Sequence, residues 1–132
     1  MSDLDMAIEV AVDAHRNQYD KNGEPYILHP LRVMLALDAE TDRIVGVLHD
    51  VVEDCVVGCG PSIRMLFGDD VWAAVTALTR DEGESYEDFI VRAKANPIAR
   101  RVKIADINDN LRPGAEHLRP RYERALAVLQ AD

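Results

Sequence analysis

The sequence predicts an all-α fold, a compact bundle of about seven or eight helices built as one domain over residues 1–132. Three observations carry that expectation. Apolar residues recur at helical spacing along the chain, no segment alternates apolar and polar residues as a half-buried strand does, and caps and breakers cut the chain into helix-length pieces. In the first piece Leu4, Ile8, Ala11 and His15 share one helical face. Asn22, Gly23 and Pro25 mark a loop. His29-Pro30 opens a second helix, with Pro30 in the first turn, where its missing amide costs nothing; Leu31, Met34 and Leu35 form its apolar face. Thr41 suits the N-cap of a third helix that turns Ile44, Val47, Leu48 and Val51 inward. Gly58, Gly60 and Pro61 break the chain before a short helix through Ile63, Leu66 and Phe67, and another runs from Asp69 through Trp72 to Leu78. Ser85 with Asp88 resembles a capping box. Asn96-Pro97 starts a longer helix toward Arg112, and a last helix follows Pro120.

With 48% hydrophobic residues the chain can bury a core without staples. It carries 15 Lys+Arg against 24 Asp+Glu, a net charge of −9, which argues against a nucleic-acid polymer as partner. A small anionic substrate is still compatible, because a metal ion and a few cations reverse the field locally. No apolar run is long enough to span a bilayer and no signal-peptide pattern opens the chain, so the expected location is cytoplasmic. Cys55 and Cys59 lack the CxxC spacing of a zinc site and read as reduced loop thiols, with a disulfide or a zinc site as the alternatives.

The chemistry concentrates in His49-Asp50-Val51-Val52-Glu53-Asp54. On a continuous helix Glu53 stacks beyond His49 and Asp54 beyond Asp50. Three acids and a histidine then crowd an arc that also carries Leu48, Val51 and Val52. Carboxylates beside buried aliphatics repel one another and lose solvation, and a divalent cation removes most of that cost. The alternative is a solvated acidic helix end. His15 and His29 stand on apolar-faced helices, where a lone histidine is more often a hydrogen-bonded core residue than a ligand.

Several further pieces occur in order with this string: Ala14-His15-Arg16, Gly23-Glu24-Pro25-Tyr26-Ile27-Leu28-His29-Pro30, Phe67-Gly68, Val75-Thr76-Ala77-Leu78-Thr79, Val102-Lys103-Ile104-Ala105-Asp106 and Asn110-Leu111-Arg112. With them the chain resembles the hydrolase domain of the RelA/SpoT homologues, a branch of the HD-domain phosphohydrolases. The resemblance implies a stand-alone HD-type domain without a synthetase domain. It also implies one Mn²⁺, or another divalent ion, held by His29, His49, Asp50 and Asp106. Glu53 and Asp54 would orient and deprotonate the attacking water. Asn110 would face the nucleotide, with Lys21, Tyr26 and Lys103 nearby, while His15 would support its neighbours without touching metal. The implied reaction removes pyrophosphate from the 3′ position of guanosine tetra- or pentaphosphate, with Arg16, Arg32 and Arg112 as further cations for the distal phosphates.

Between His15 and His29 the chain departs from the family. The loop is shorter than usual, and Tyr19-Asp20-Lys21-Asn22 replaces an Arg-Lys pair whose arginine stacks on guanine. Tyr19 can stack on a base instead, a contact worth about 1–3 kcal/mol. Two alternatives follow: the same chemistry on another phosphorylated nucleotide, such as the 2′-phosphate of NADPH, or a metal-bound nucleotide-binding module without turnover.

Overall fold

The computed structural model describes residues 2–54 and 59–132, with the side chains of residues 54 and 59–61 left undescribed. Among the described residues the chain is helical: α1 (Asp3–Ala14), α2 (Leu28–Leu35), α3 (Glu40–Leu48), α4 (Val51–Asp54), α5 (Cys59–Phe67), α6 (Asp69–Ala77), α7 (Tyr86–Lys94), α8 (Pro97–Asn110) and α9 (Arg119–Gln130). A 3-10 turn at Glu116–Leu118 leads into α9. The all-α expectation holds, with eight helices of eight or more residues and the short α4 between α3 and α5. No described helix is long and apolar enough to cross a membrane.

Local chemistry sets the helix starts. Ser2 Oγ accepts from the Asp5 amide while the Asp5 carboxylate accepts from the Ser2 amide, a reciprocal box at α1. Ser85 Oγ accepts from the Asp88 amide, and Asn96 Oδ1 from the Ala99 amide with Pro97 behind it. Two expectations shift. Thr41 is not the cap of α3: Ala39 is, and Thr41 sits inside the first turn. What anchors that turn is Asp42, only 4% exposed, whose carboxylate takes two bonds from Arg101 of α8 at 2.6 and 3.0 Å. The cost of burying Asp42 is met by a paired guanidinium across the bundle, and tertiary pairing overrides the capping signal.

The second shift concerns the helix through the motif. α3 ends at Leu48 with His49 as its C-cap, and the chain turns through His49 and Asp50 before α4 begins. His49 Nδ1 donates to the Gly46 carbonyl at 2.6 Å. That is the acceptor the amide of residue 50 would use in a continued helix. The side chain thereby satisfies one of the carbonyls left over at a helix end.

α3 is the central element, buried from Ile44 to His49 and packed on α1, α2, α6 and α8. The main core gathers Val33, Val45, Val47, Leu48, Val51, Val75 and Val102, each fully buried. A second, smaller core of Phe89, Ile90, Ile107, Ala125 and Leu129 joins α7, α8 and α9. α8 serves both, Ala99, Val102 and Ala105 facing one cluster and Ile107 the other. Arg100 on the same helix closes the far end of α9 by donating to the Leu129 carbonyl and to Ala131 O at 2.7 Å.

Arg92 of α7 forms the other clasp. Its guanidinium donates to Thr76 O at 3.0 Å and Thr79 O at 2.7 Å, the carbonyls closing α6, and to both Glu84 oxygens at 2.9 Å. The Arg92 bonds, with the Asp81 amide, hold the Glu84 carboxyl down at about 2, against an ordinary 4.5. R92A is expected to lower the urea midpoint of unfolding at neutral pH. Between pH 4.5 and about 2 the unfolded chain binds a proton at Glu84 that the folded chain does not, so the clasp's contribution is whole above that window and lost as pH falls through it. The difference between wild type and R92A therefore shrinks on acidification; a difference independent of pH would disprove the coupling.

Candidate active site

Three elements converge on one point. α2 brings His29 from its first turn, the end of α3 brings His49 with Asp50 next to it, and α8 brings Asp106. His29, His49 and Asp106 are 8%, 2% and 4% exposed. His29 Nε2 lies 2.9 Å from Asp106 Oδ1 and 3.9 Å from Asp50 Oδ2; His49 Nε2 lies 3.3 and 3.1 Å from the same two atoms. The two rings sit edge to face, centroids 5.4 Å apart.

The tautomers follow from the opposite ring edges. His49 Nδ1 faces the Gly46 carbonyl and His29 Nδ1 faces Asp109 Oδ2 at 2.6 Å, both acceptors, so both Nδ1 atoms carry hydrogen. In its neutral form a ring so held would aim an Nε2 lone pair at carboxylate oxygens. His49 Nε2 is buried with no well-aligned hydrogen-bond partner among the described residues. Nitrogen lone pairs facing anions in a buried space call for positive charge between them, a metal ion or protons, and His29, His49 and Asp50 place one ligand atom each within 4.8 Å of one another. Two imidazoles with carboxylates suit a divalent first-row ion. Without one, protons take its place. Burial alone would lower the pKa of His49, yet Asp50 and Asp106 outweigh it and raise it well above 6.5. Burial likewise opposes ionisation of Asp50, but His49 and the Tyr26 hydroxyl, which donates to Asp50 Oδ2, bring it down to about 2.

Around the cluster opens a cavity of about 280 Å³. Lys21, Tyr26, Lys103 and Asn110 line it, together with Arg32 and Arg112. Asn110 Nδ2 reaches Asp106 Oδ1 at 3.4 Å. Lys21 spans the mouth, its Nζ donating to Gly114 O at 2.9 Å. Lys103 is engaged inward, its Nζ 2.8 Å from Asp106 Oδ2 and 5.0 Å from the Phe89 ring centre. Burial alone would lower the Lys103 pKa, but Asp106 raises it.

Other expected residues fall elsewhere. Tyr19, 66% exposed, pairs with Pro25 and lines a separate shallow depression. Arg16 borders that depression too and pairs with Asp13. His15 is buried, its Nδ1 3.0 Å from Gln18 Oε1 and its ring 5.0 Å from that of Tyr26. Glu53 stands exposed on α4, while the side chains of Asp54 and Cys59 and the whole of Cys55 lie outside the described residues. Because the helix breaks at His49 and Asp50, the expected single acidic arc divides into a buried His49 with a partly buried Asp50 and a separate α4. Asp109 was missed in the sequence. Its signal was spacing: Asp109 follows Asp106 by three residues, as Arg32 follows His29, and such pairs share a helix face.

An α bundle that closes two histidines and two aspartates around one point, with His49-Asp50 in adjacent positions, defines the class: the chain belongs to the HD domain family, whose model matches residues 7–112. Within that family it sides with the RelA/SpoT homologues. It is 32% identical over 123 residues to the guanosine-3′,5′-bis(diphosphate) 3′-pyrophosphohydrolase of Aquifex aeolicus, covering 83% of this chain and 17% of that one. The GTP pyrophosphokinase of Streptomyces coelicolor is 33% identical over 123 residues, covering 83% and 14%. The bifunctional (p)ppGpp synthase/hydrolase SpoT of Escherichia coli is 32% identical over 140 residues, covering 94% and 20%. The chain thus spans a fifth or less of each of these three relatives. A solved structure of a metazoan SpoT orthologue that hydrolyses ppGpp superposes with a TM-score of 0.80 at 23% identity, covering 99% of this chain and 87% of that one; it shows the same fold.

Proposed function

We propose that this chain, as one HD-type domain of the cytoplasm, is a metal-dependent hydrolase removing the 3′-pyrophosphate of guanosine tetra- or pentaphosphate. The observation that carries the proposal is the convergence of the two buried Nε2 atoms on the Asp50 and Asp106 carboxylates, a donor set suited to a divalent cation. His29, His49, Asp50 and Asp106 are the proposed holders of one Mn²⁺. Such an ion lowers the pKa of its bound water from 15.7 toward about 7 and polarises a phosphoryl oxygen. Glu53 and Asp54 would orient the water and take up its proton as the new oxygen–phosphorus bond forms; the bond to the ribose 3′ oxygen breaks and that oxygen leaves as the hydroxyl, taking a proton from solvent. Asn110 and Tyr26 border the sugar and phosphate, and Lys21 and Arg112 supply positive charge at the mouth. The names of the relatives support the alarmone as substrate, and the match to the HD family supports hydrolysis over synthesis.

A second reading has its own support. Tyr19 lies away from the cavity, and of the described aromatic side chains only Tyr26 lines it, already bonded to Asp50. With little to stack on a base, the same site suits other phosphorylated nucleotides, NADPH among them. One panel separates the readings: Mn²⁺-loaded protein incubated with guanosine tetraphosphate, NADPH and common nucleotides. Pyrophosphate released from the alarmone is the expected result. Orthophosphate from NADPH alone would transfer the proposal to the second reading, and metal bound without turnover of any substrate would overturn both.

A further inference from the structure

The two imidazoles are held by unlike partners. His49 donates to a neutral carbonyl of its own helix, Gly46 O. His29 donates to a carboxylate from another helix, Asp109 Oδ2. Asp109 is in turn gripped by Arg32, Nε to Oδ1 at 2.7 Å and Nη2 to Oδ2 at 3.1 Å. The chain Arg32–Asp109–His29 crosses from α2 to α8 and back, with the Asp109 side chain 12% exposed and that of His29 10%. A carboxylate that accepts from one ring nitrogen makes the other a more basic ligand and stops the ring from flipping. The two-pronged grip leaves Asp109 one orientation, and it occupies the face of Arg32 that would otherwise meet a phosphate.

We propose that Asp109, locked by Arg32, is a positioning residue that fixes the tautomer and ring orientation of His29 so that Nε2 is presented to a divalent ion. The inference rests on the metal reading above, and its test needs no substrate. Mn²⁺ is titrated calorimetrically into metal-free wild type, D109A, D109N, R32M and the R32M/D109A double variant. Circular dichroism and melting temperature confirm that each is folded. D109A is expected to weaken Mn²⁺ binding by about 10- to 100-fold. D109N keeps an uncharged acceptor and should lose less. R32M should lose a few-fold alone and nothing further beside D109A, since it acts through Asp109. The imidazole ¹⁵N shifts of Zn²⁺-loaded protein give a second readout: His29 bound through Nε2 alone in wild type, and a mixture of Nε2-bound and Nδ1-bound rings in D109A.

Folded D109A and D109N that bind Mn²⁺ as wild type does, with the tautomer intact, would overturn the inference while leaving the hydrolase reading standing. So would an R32M variant that raises KM for substrate without touching metal affinity, because Arg32 would then be a phosphate ligand. A wild type that binds no divalent ion would sink the metal reading and this inference together.

Discussion

Replacing Asp106 with alanine is expected to strip the protein of bound metal and lower turnover by about 10³-fold or more, the equivalent of several kcal/mol of lost Lewis-acid stabilisation. The variant removes the one carboxylate among the described residues that lies within 3.3 Å of both Nε2 atoms. It also strands Lys103, whose ammonium is largely buried with Asp106 as its ion-pair partner at 2.8 Å. Breaking a buried pair from one side costs about 3–5 kcal/mol, so D106A should lose stability as well as metal. The two losses are separable. In D106A/K103M the stranded charge is gone, and the melting temperature should recover while metal content and rate stay at background. D106A with full metal content and full rate would remove Asp106 from the proposed ligand set.

The second large effect is expected at Glu53. E53Q keeps size and hydrogen bonding but abolishes the base, and a positioned general base contributes about 10²–10⁴-fold. Turnover should fall by that factor with Mn²⁺ stoichiometry unchanged, since Glu53 sits on α4, beyond the turn that separates it from His49 and Asp50. Loss of metal together with rate would move Glu53 into the ligand set; an unchanged rate would dismiss it as the base. D106A and E53Q thus separate metal-holding from proton-accepting residues by opposite metal readouts.

What the sequence disclosed and what it hid divide by range. Ser85 and Asn96 were legible because a cap is a bond between residues three apart. The buried stretch of α3 was legible from Ile44, Val47 and Leu48, whose spacing requires an apolar environment on that face. The helix break at His49 was not, because it depends on which ring nitrogen finds the Gly46 carbonyl. Thr41 misled for a related reason: the true anchor of that turn, Arg101, is 59 residues from Asp42. Lys103 reads as a surface cation in a one-dimensional pattern and proves to be largely buried against Asp106 and Phe89. The Tyr19 loop was expected at the cavity, but the antiparallel pairing of Tyr19 with Pro25 sets that side chain over a different depression. Asp109 carried no motif of its own, and only the fold, which brings residue 29 beside residue 109, gives it a partner.

Gly46 accepts from His49 on one side and on the other lies against α2, where a Cβ would come 3.5 Å from the Met34 backbone and 2.9 Å from Cδ1 of Leu37, just past the end of that helix. α2 carries His29 and the end of α3 carries His49, so the spacing of two helix axes sets the bite between the two imidazoles. The bite therefore follows the packing of these two helices. A methyl group at residue 46 would meet the Met34 backbone at ordinary contact distance and needs only the end of the Leu37 side chain to give way, so the separation of the two rings is set by backbone against backbone and tolerates small changes among the side chains around it.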